Sequence, residues 1–317
     1  MDRREFLGGM AAAGGFLVAD RTGLLQAAER TQRPGKKFNG DDTVVLMSDF
    51  HTNPDGYQSE KLRIVVDDIL KMNTRPRAVI AFGDIAYLTG QVDEYRKARE
   101  ILTPLEAAGI QLVFGMGNHD RREEFAEVFP EYAAGSPVPG RLVHIEEGPY
   151  ADIIMLDSLQ QGADKSTWIT EGAIDELQRE WLRKTVESYT KPFFVAAHHP
   201  LSETLVGDML VKCPNCAGYI YGHLHKWIND WDHMNWRDKR ILPILCLPST
   251  GHYGDIGYVT LTMGRKEAVA RLVQSDFYFP KPAPPEERPV LWERMMEKNR
   301  GAEFYFQLRP DEPGNAK

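Results

Sequence analysis

The chain contains 317 residues, with 38 Lys and Arg against 46 Asp and Glu, so its formal net charge is −8. This length suits one large domain or two small ones. The acidic balance argues against a nucleic-acid polymer as a partner, because such an interface needs a basic face. No apolar run reaches the roughly 18 residues of a stable membrane span. Three cysteines are too few for a disulfide scaffold.

The first 28 residues have the pattern of an export signal. Arg3 and Arg4 precede Phe-Leu, and a mild Gly- and Ala-rich apolar stretch follows over residues 7–19. The arginine pair resembles the bacterial twin-arginine signal. The resemblance implies a signal peptide over residues 1–28, transport of the folded protein by the twin-arginine export machinery, and a periplasmic or extracellular location. A frayed amphipathic N-terminus is the alternative interpretation.

Buried-strand patterns alternate with amphipathic-helix patterns after a polar linker over residues 29–42. Short apolar runs predict strands at 43–48, 77–82, 111–115, 151–156, 192–197, 217–221, 241–245, 257–262 and 268–273. Helical apolar faces are predicted at residues 58–72 and around Tyr95, Leu102, Leu177 and Trp181. This alternation predicts a layered α/β domain over residues 43–279.

Three segments depart from the alternation. Residues 121–150 contain several prolines and are interpreted as an insertion near the site, over one sheet edge. Residues 226–240 are interpreted as a loop that either packs on the domain or forms an aromatic rim, with Trp227, Trp231 and Trp236. Residues 280–317 form a Pro-rich C-terminal tail, expected to be extended apart from a short helix at 291–298.

Five short motifs follow predicted strands, at the strand end where open α/β sheets place their chemistry. They are Asp49-Phe50-His51, Gly83-Asp84, Gly117-Asn118-His119-Asp120, His198-His199-Pro200 and Gly222-His223-Leu224-His225. Carboxylate, imidazole and amide oxygen ligands together suit borderline divalent ions such as Mn, Fe and Zn. Each motif alone is a weak signal, but the five in this order predict one metal site.

The five motifs in this order resemble the calcineurin-like metallophosphoesterase superfamily, from Asp49 through His225. The resemblance implies an α/β fold of the four-layer αββα sandwich type, with two divalent metal ions at the sheet edge. The implied ligands of the first metal are Asp49, His51, Asp84 and His225. Those of the second metal are Asp84, Asn118, His198 and His223, so that Asp84 would bridge the two ions.

The resemblance also implies the reaction, hydrolysis of a small phosphate ester by attack of a metal-activated hydroxide. Two metals about 3.5–4 Å apart lower the pKa of such a hydroxide and clamp the phosphoryl oxygens. His119 is not a ligand in this scheme, and it would protonate the leaving group or stabilise the transferring phosphoryl group as the catalytic residue. The ligand set leaves the metal open between Mn, Fe and Zn.

Four further residues are candidates for substrate contact or for support of the ligands. They are His199, Arg121, Asp157 and His252. Each has a plainer interpretation: His199 as a neighbour of the ligand His198, Arg121 as the start of a solvated helix, Asp157 as a turn and His252 as a loop residue.

Two other chemistries are left open. Tyr87 follows Asp84 in a pattern that resembles the purple acid phosphatases, in which a phenolate binds ferric iron, but His51 stands where those enzymes usually have Gly. Cys213 and Cys216 form a single C-x-x-C, which would give a disulfide after export or a redox function. A structural zinc site would need a second cysteine pair, and the sequence has none.

The sequence therefore predicts an exported phosphoesterase. Diesters are expected in preference to monoesters, because the resemblance is to the branch of cyclic-nucleotide and glycerophosphodiester phosphodiesterases. A phosphomonoesterase with the same centre is the first alternative. A non-catalytic scaffold with the same fold, which would show no turnover with any metal, is the second.

Overall fold

The computed structural model describes residues 42–164, 167–234, 239–251, 257–274, 299 and 301–308. These residues form two six-stranded sheets. The first sheet contains, in spatial order, β12 (Glu303–Gln307), β11 (Glu267–Gln274), β10 (Gly257–Met263), β1 (Asp42–Met47), β2 (Ala78–Ala81) and β3 (Gln111–Phe114). The second contains β4 (His144–Glu146), β5 (Asp152–Met155), β6 (Phe193–Ala196), β7 (Cys216–Tyr221), β9 (Ile241–Cys246) and β8 (Ile228–Met234).

Helices cover the outer face of each sheet. The helices along the chain are α1 (Tyr57–Leu70), α2 (Val92–Ala107), α3 (Arg122–Val128), α4 (Pro130–Ala133), α5 (Glu176–Glu187), α6 (Leu201–Thr204) and α7 (Gly207–Leu210). Leu62 of α1, Leu102 of α2 and Phe125 of α3 pack together with residues of the first sheet. Leu182 of α5, Leu201 of α6 and Leu210 of α7 pack on the second sheet.

The period-two alternation of the strands places the two sheets face to face. In β1, Val45 and Met47 pack against the outer helices, whereas Val44 and Leu46 pack in the core between the sheets. In the second sheet Phe194 of β6 reaches the same central core. The result is the predicted four-layer αββα arrangement, which is confirmed.

Parallel pairing brings the ligand-bearing turns to one edge. Strands β1, β2 and β3 are parallel to one another, and so are β5, β6, β7 and β9. Because the carboxyl ends of parallel strands lie at the same edge, the turns after them meet there. Backbone hydrogen bonds join the two sheets at this edge, since the amides of Thr250 and Gly251 after β9 donate to the carbonyls of Ser48 and Asp49 after β1, at 2.8 and 3.2 Å.

Three segments differ from the sequence prediction. The region expected as a loop at 226–240 contains β8, an edge strand rich in polar residues, which lacks the apolar run that identifies buried strands. The C-terminal tail contributes β12, which pairs with β11 and buries Phe306 between the sheets. The expected insertion at 121–150 contains α3, α4 and the edge strand β4.

Several predictions lie outside the described residues. These are the signal peptide at 1–28, nearly all of the linker at 29–42, the helical patch at 291–298, His252 and Trp236. Within the described ranges, every helix is too short or too polar to span a bilayer.

Candidate metal centre

The seven predicted ligands come from turns of both sheets. Asp49 and His51 follow β1, Asp84 follows β2 and Asn118 follows β3, all in the first sheet. The second sheet contributes His198 after β6, and His223 and His225 after β7. The structure brings all seven together at the shared edge, and six of them are buried while His223 is partly exposed.

The backbone at this edge is strained where the ligands lie. Five of the seven have a positive φ, between 46° and 67°: Asp49, His51, Asp84, His223 and His225. Among the non-glycine residues that the structure describes, only Leu205 and Lys239 share this conformation. A left-handed conformation costs a residue with a side chain about 1–2 kcal/mol. Such strain concentrates at functional sites, where the surrounding structure enforces it.

One cluster consists of Asp49, His51, Asp84 and His225, whose ligand atoms all lie within 4.8 Å of one another. His51 donates Nδ1–H to the carbonyl of Tyr87 at 3.1 Å, so its Nε2 carries a lone pair. That lone pair faces His225 Nε2 at 3.2 Å and Asp84 Oδ2 at 3.6 Å. Asp49 Oδ1 lies 3.1 Å from His225 Nε2.

The second cluster is arranged around Asn118. His198 donates Nδ1–H to the carbonyl of Phe82 at 3.1 Å. Its Nε2 lies 3.3 Å from Asn118 Oδ1 and 3.3 Å from Asp84 Oδ2. His223 Nδ1 lies 3.0 Å from the same Asn118 oxygen. Nitrogen and oxygen lone pairs therefore converge on this point as well.

Asp84 connects the two clusters. Its Oδ2 lies 3.6 Å from His51 Nε2 in the first cluster and 3.3 Å from His198 Nε2 in the second. Its Oδ1 accepts the backbone N–H of His119 at 2.8 Å, which fixes the rotation of the carboxylate. One buried carboxylate thus faces both groups of ligands.

The protonation states follow from burial and neighbouring charge. Burial lowers the pKa of His51 to about 4 and that of His223 to about 4, so both are neutral near pH 7, as metal ligands must be. Burial also opposes the charged form of His198, but the carboxylate of Asp84 outweighs it and raises the pKa of His198 to about 9. Burial favours the neutral form of Asp49, yet His225 holds the pKa of that carboxyl below its usual value.

The donor set fits divalent cations. Two imidazole nitrogens face each other, and a third faces two acceptor oxygens. Either a proton or a metal ion between these atoms satisfies their lone pairs. Carboxylate, imidazole and amide ligands together are the set that borderline divalent ions accept. Anchoring of His51 and His198 through Nδ1 to backbone carbonyls is the usual second contact of metal-binding histidines.

His119 lies beside the clusters, with the ring only 12% exposed. It donates Nδ1–H to the carbonyl of Leu88 at 3.0 Å, and its Nε2 points toward Asp84 Oδ2 at 3.9 Å. The ring contacts those of His51 and Trp168, each at a centroid distance of 4.7 Å. Its Nε2 is therefore oriented toward the place where a ligand at the centre would lie.

His199 has both ring nitrogens in use. Nε2 donates to the carbonyl of Thr170 at 3.1 Å, so Nδ1 accepts from the hydroxyl of Ser158 at 2.8 Å. Although His199 is close to His198 and His223, its lone pair is occupied by Ser158. Burial and the neighbouring His198 lower the pKa of His199 to about 2. The structure gives His199 contacts that support the ligands and hold a loop.

Arg121 and Asp157 have different surroundings. Arg121 borders a pocket beside His119 and donates Nη1–H to the carbonyl of Asp164 at 3.1 Å. Asp157 is buried and forms a two-pronged ion pair with Arg122, at 2.6 and 2.7 Å. It also accepts the backbone N–H of Leu142 at 2.8 Å. The fold therefore neutralises the charge of Asp157 and gives its carboxylate structural contacts.

Sequence reasoning missed the function of Asp120, although it quoted the residue as part of a motif. The Asp120 carboxylate accepts the backbone N–H groups of Ile85, Ala86 and Gly117, at 3.1, 3.1 and 2.9 Å, and the hydroxyl of Tyr95 at 3.1 Å. It therefore ties the turn after β2 to the turn after β3. Burial and the negative charge of Asp84 raise the pKa of Asp120 to about 6.

Comparison with known proteins identifies the family of the chain. The profile described as calcineurin-like phosphoesterase matches residues 43–227, which include all seven ligand candidates. The chain belongs to this family. The family uses divalent metal ions.

Two curated relatives are named as phosphodiesterases. The chain is 31% identical over 166 residues to a probable cyclic nucleotide phosphodiesterase of Rhodococcus erythropolis, covering 50% of this chain and 52% of that protein. It is 27% identical over 216 residues to a cAMP/cGMP dual specificity phosphodiesterase of Mycobacterium tuberculosis, covering 63% and 65%. These matches span about half to two thirds of the relatives' lengths.

Among solved structures, a predicted phosphoesterase of Streptococcus pneumoniae aligns with a TM-score of 0.34 and 16% identity. The alignment covers 77% of this chain and 96% of that one.

Proposed function

We propose that the chain is an exported phosphodiesterase with a two-ion centre. Asp49, His51, Asp84 and His225 would hold one divalent ion, and Asp84, Asn118, His198 and His223 the other. The observation that carries this proposal is the position of Asp84 Oδ2, which lies 3.6 Å from His51 Nε2 and 3.3 Å from His198 Nε2. A carboxylate shared in this way is suited to bridge two cations.

The bound ions would supply concentrated positive charge, which lowers the pKa of water and stabilises the anionic phosphoryl group. The chain's own part is to position that chemistry. The strained turns are held by backbone hydrogen bonds, such as Asp49 N–H to the Gly83 carbonyl at 3.1 Å and His51 N–H to the Asp84 carbonyl at 2.9 Å. These bonds fix the ligands before a substrate arrives.

His119 would serve the leaving oxygen. Its Nδ1–H is committed to the Leu88 carbonyl, so Nε2, the atom that points toward the centre, is the one that could pass a proton to the leaving oxygen. A positioned acid of this kind contributes about 10²–10⁴-fold to the rate. His119→Ala should therefore lower kcat by about that factor while the metal content stays unchanged.

The matched control is His144→Ala. His144 lies on β4 with its side chain 44% exposed, and its Nε2 is 3.3 Å from Glu146. This variant should retain full activity. A His119→Ala enzyme that also keeps the wild-type rate would remove His119 from the reaction.

The preference for diesters rests on the names of the relatives and on the branch that the motifs resemble. The test compares bis(p-nitrophenyl) phosphate with p-nitrophenyl phosphate, because both release the same phenol. We expect faster hydrolysis of the diester with Mn²⁺, and loss of the rate on chelation. Faster hydrolysis of the monoester would make the chain a phosphomonoesterase. No hydrolysis of either, with metal shown to be bound, would favour a scaffold.

The metal and the location have their own tests. Metal analysis of protein purified without added metal should find Mn, Fe or Zn. Export is tested with Arg3→Lys/Arg4→Lys in the full chain. Twin-arginine transport predicts that this variant stays in the cytoplasm, whereas a variant that is exported and processed normally would contradict it.

A further inference from the structure

Trp168 occupies an unusual place in the connection between β5 and α5. Its side chain is 52% exposed, yet its ring lies against the imidazole of His119, with centroids 4.7 Å apart and planes inclined by 52°. Tryptophan is enriched where proteins bind partners, because its ring offers a large apolar contact area. This ring is therefore placed to contact whatever lies beside His119.

The connection that carries Trp168 is anchored on both sides. His199 donates to the Thr170 carbonyl at 3.1 Å, and Glu203 accepts the Gly172 N–H at 2.6 Å. On the other side of Trp168, Arg121 Nη1 donates to the Asp164 carbonyl at 3.1 Å. These hydrogen bonds hold the backbone on either side of the exposed Trp168 side chain.

Trp168 also lines a pocket together with Leu88, Asn118, His119, Arg121 and Gln161. The pocket opens beside a predicted ligand, Asn118, and the proposed acid, His119. Because the two rings touch, a group attached to the oxygen that His119 would serve lies within reach of Trp168. Trp168 therefore faces the leaving-group side of the substrate.

We propose that Trp168 selects substrates whose leaving alcohol carries a planar aromatic group, a nucleobase in particular, by stacking on it. The inference rests on the proposed function and adds the substrate class. In a cyclic nucleotide the leaving oxygen and the base belong to the same ribose, so the base of such a substrate would lie on this side. Stacking of a base on an aromatic side chain is worth about 5- to 150-fold in affinity.

Binding to the metal-loaded full chain tests the inference without turnover. Adenosine 5′-monophosphate and ribose 5-phosphate share the phosphate and the sugar, and they differ by the base. By calorimetry we expect the nucleotide to bind wild type roughly tenfold more tightly than the sugar phosphate. Trp168→Ala should abolish this preference, and Trp168→Phe should retain part of it.

Tyr305→Ala is the control, because Tyr305 is also an exposed aromatic residue, 54% exposed, on the distant β12. It should keep the preference. Equal affinity of wild type for the two probes, or an unchanged preference in Trp168→Ala, would overturn the inference. Weaker binding of both probes by the same factor in Trp168→Ala would show a structural effect on the loop and would overturn it too.

Turnover separates this inference from the proposed function. Two diester substrates are compared: in cyclic AMP the leaving oxygen belongs to a nucleoside, and in glycerophosphoethanolamine it belongs to an alkyl alcohol. Trp168→Ala should raise KM for cyclic AMP roughly tenfold, with KM for the alkyl diester within about twofold of wild type. If wild type hydrolyses neither diester, the proposed function fails, and the binding comparison still decides whether Trp168 stacks on a base.

Discussion

Gly83 directly precedes the proposed bridging ligand and has no room for a side chain. Its φ is +107°, a conformation that residues with a side chain rarely adopt. A Cβ at this position would lie 2.4 Å from the amide nitrogen of Gly117 and 2.7 Å from the carbonyl carbon of Met116. Both are backbone atoms of the turn after β3. Gly83→Ala must therefore push apart the turns that carry Asp84 and Asn118.

The expected loss of stability has two parts. The unfavourable φ costs about 1 kcal/mol, and overpacking without a movable side chain costs about 1–3 kcal/mol. A total of about 3 kcal/mol lowers Tm by about 6–12 °C for a domain of this size. Because the displaced turns carry ligands, metal affinity should fall as well, by roughly 10–100-fold, the effect usual for residues that support ligands.

Gly109→Ala is the matched control. Gly109 also has a positive φ, +78°, but nothing lies within 4 Å of a Cβ built on it. It should lose about 1 kcal/mol and bind metal as wild type does. Thermal unfolding and metal titration of both variants measure the two effects separately. A Gly83→Ala protein with the Tm and metal affinity of Gly109→Ala would refute the reasoning that this close approach positions the ligands.

Three further predictions use other parts of the molecule. Burial lowers the pKa of Lys61 from 10.5 to about 8, so wild type should gain stability as pH rises from about 8 to about 10.5. Lys61→Met should be more stable than wild type by about 3 kcal/mol at pH 7. A difference in the free energy of unfolding, measured by urea denaturation, that does not narrow between about pH 8 and about pH 10.5 would contradict the assignment. Asp157→Asn should lower the free energy of unfolding by about 3 kcal/mol without changing the metal content. Loss of metal at unchanged stability would show that Asp157 belongs to the metal site. Chelation should lower the free energy of unfolding by about 3 kcal/mol for each bound ion if metal had been present at 100 times its Kd; an unchanged Tm would argue against a folded-state metal site.

The central strands were predictable because burial on both faces leaves a continuous apolar run. Residues 43–48 and 192–197 contain such runs, and they form β1 and β6. The edge strand β8 contains Asn229, Asp230 and Asp232, so its sequence resembles a polar loop. Strand β12 was not predicted because the prolines before it indicate an extended tail. Its pairing with β11 is long-range, and no local pattern specifies it.

The ligand positions could be proposed from the sequence because each follows a strand and the order of motifs is characteristic of the family. The contacts of the residues around the ligands could not be predicted in this way. Trp168 lies in a connection whose sequence has neither a helical nor a strand pattern of apolar residues. Its contact with His119 is long-range, so no local pattern predicts it. Asp157 was a candidate because it ends a predicted strand, and His199 because it adjoins His198. Their contacts with Arg122 and Ser158 depend on long-range packing that the local sequence does not specify.

The number of metal ions bound per chain tests the central claim most directly. Equilibrium dialysis against Mn²⁺, followed by elemental analysis, should give two ions per chain for wild type. His225→Ala and His223→Ala should each weaken one site, and Asp84→Asn should weaken both, because its carboxylate faces both clusters. One ion in wild type, or two ions retained with wild-type affinity in Asp84→Asn, would contradict a centre bridged by Asp84.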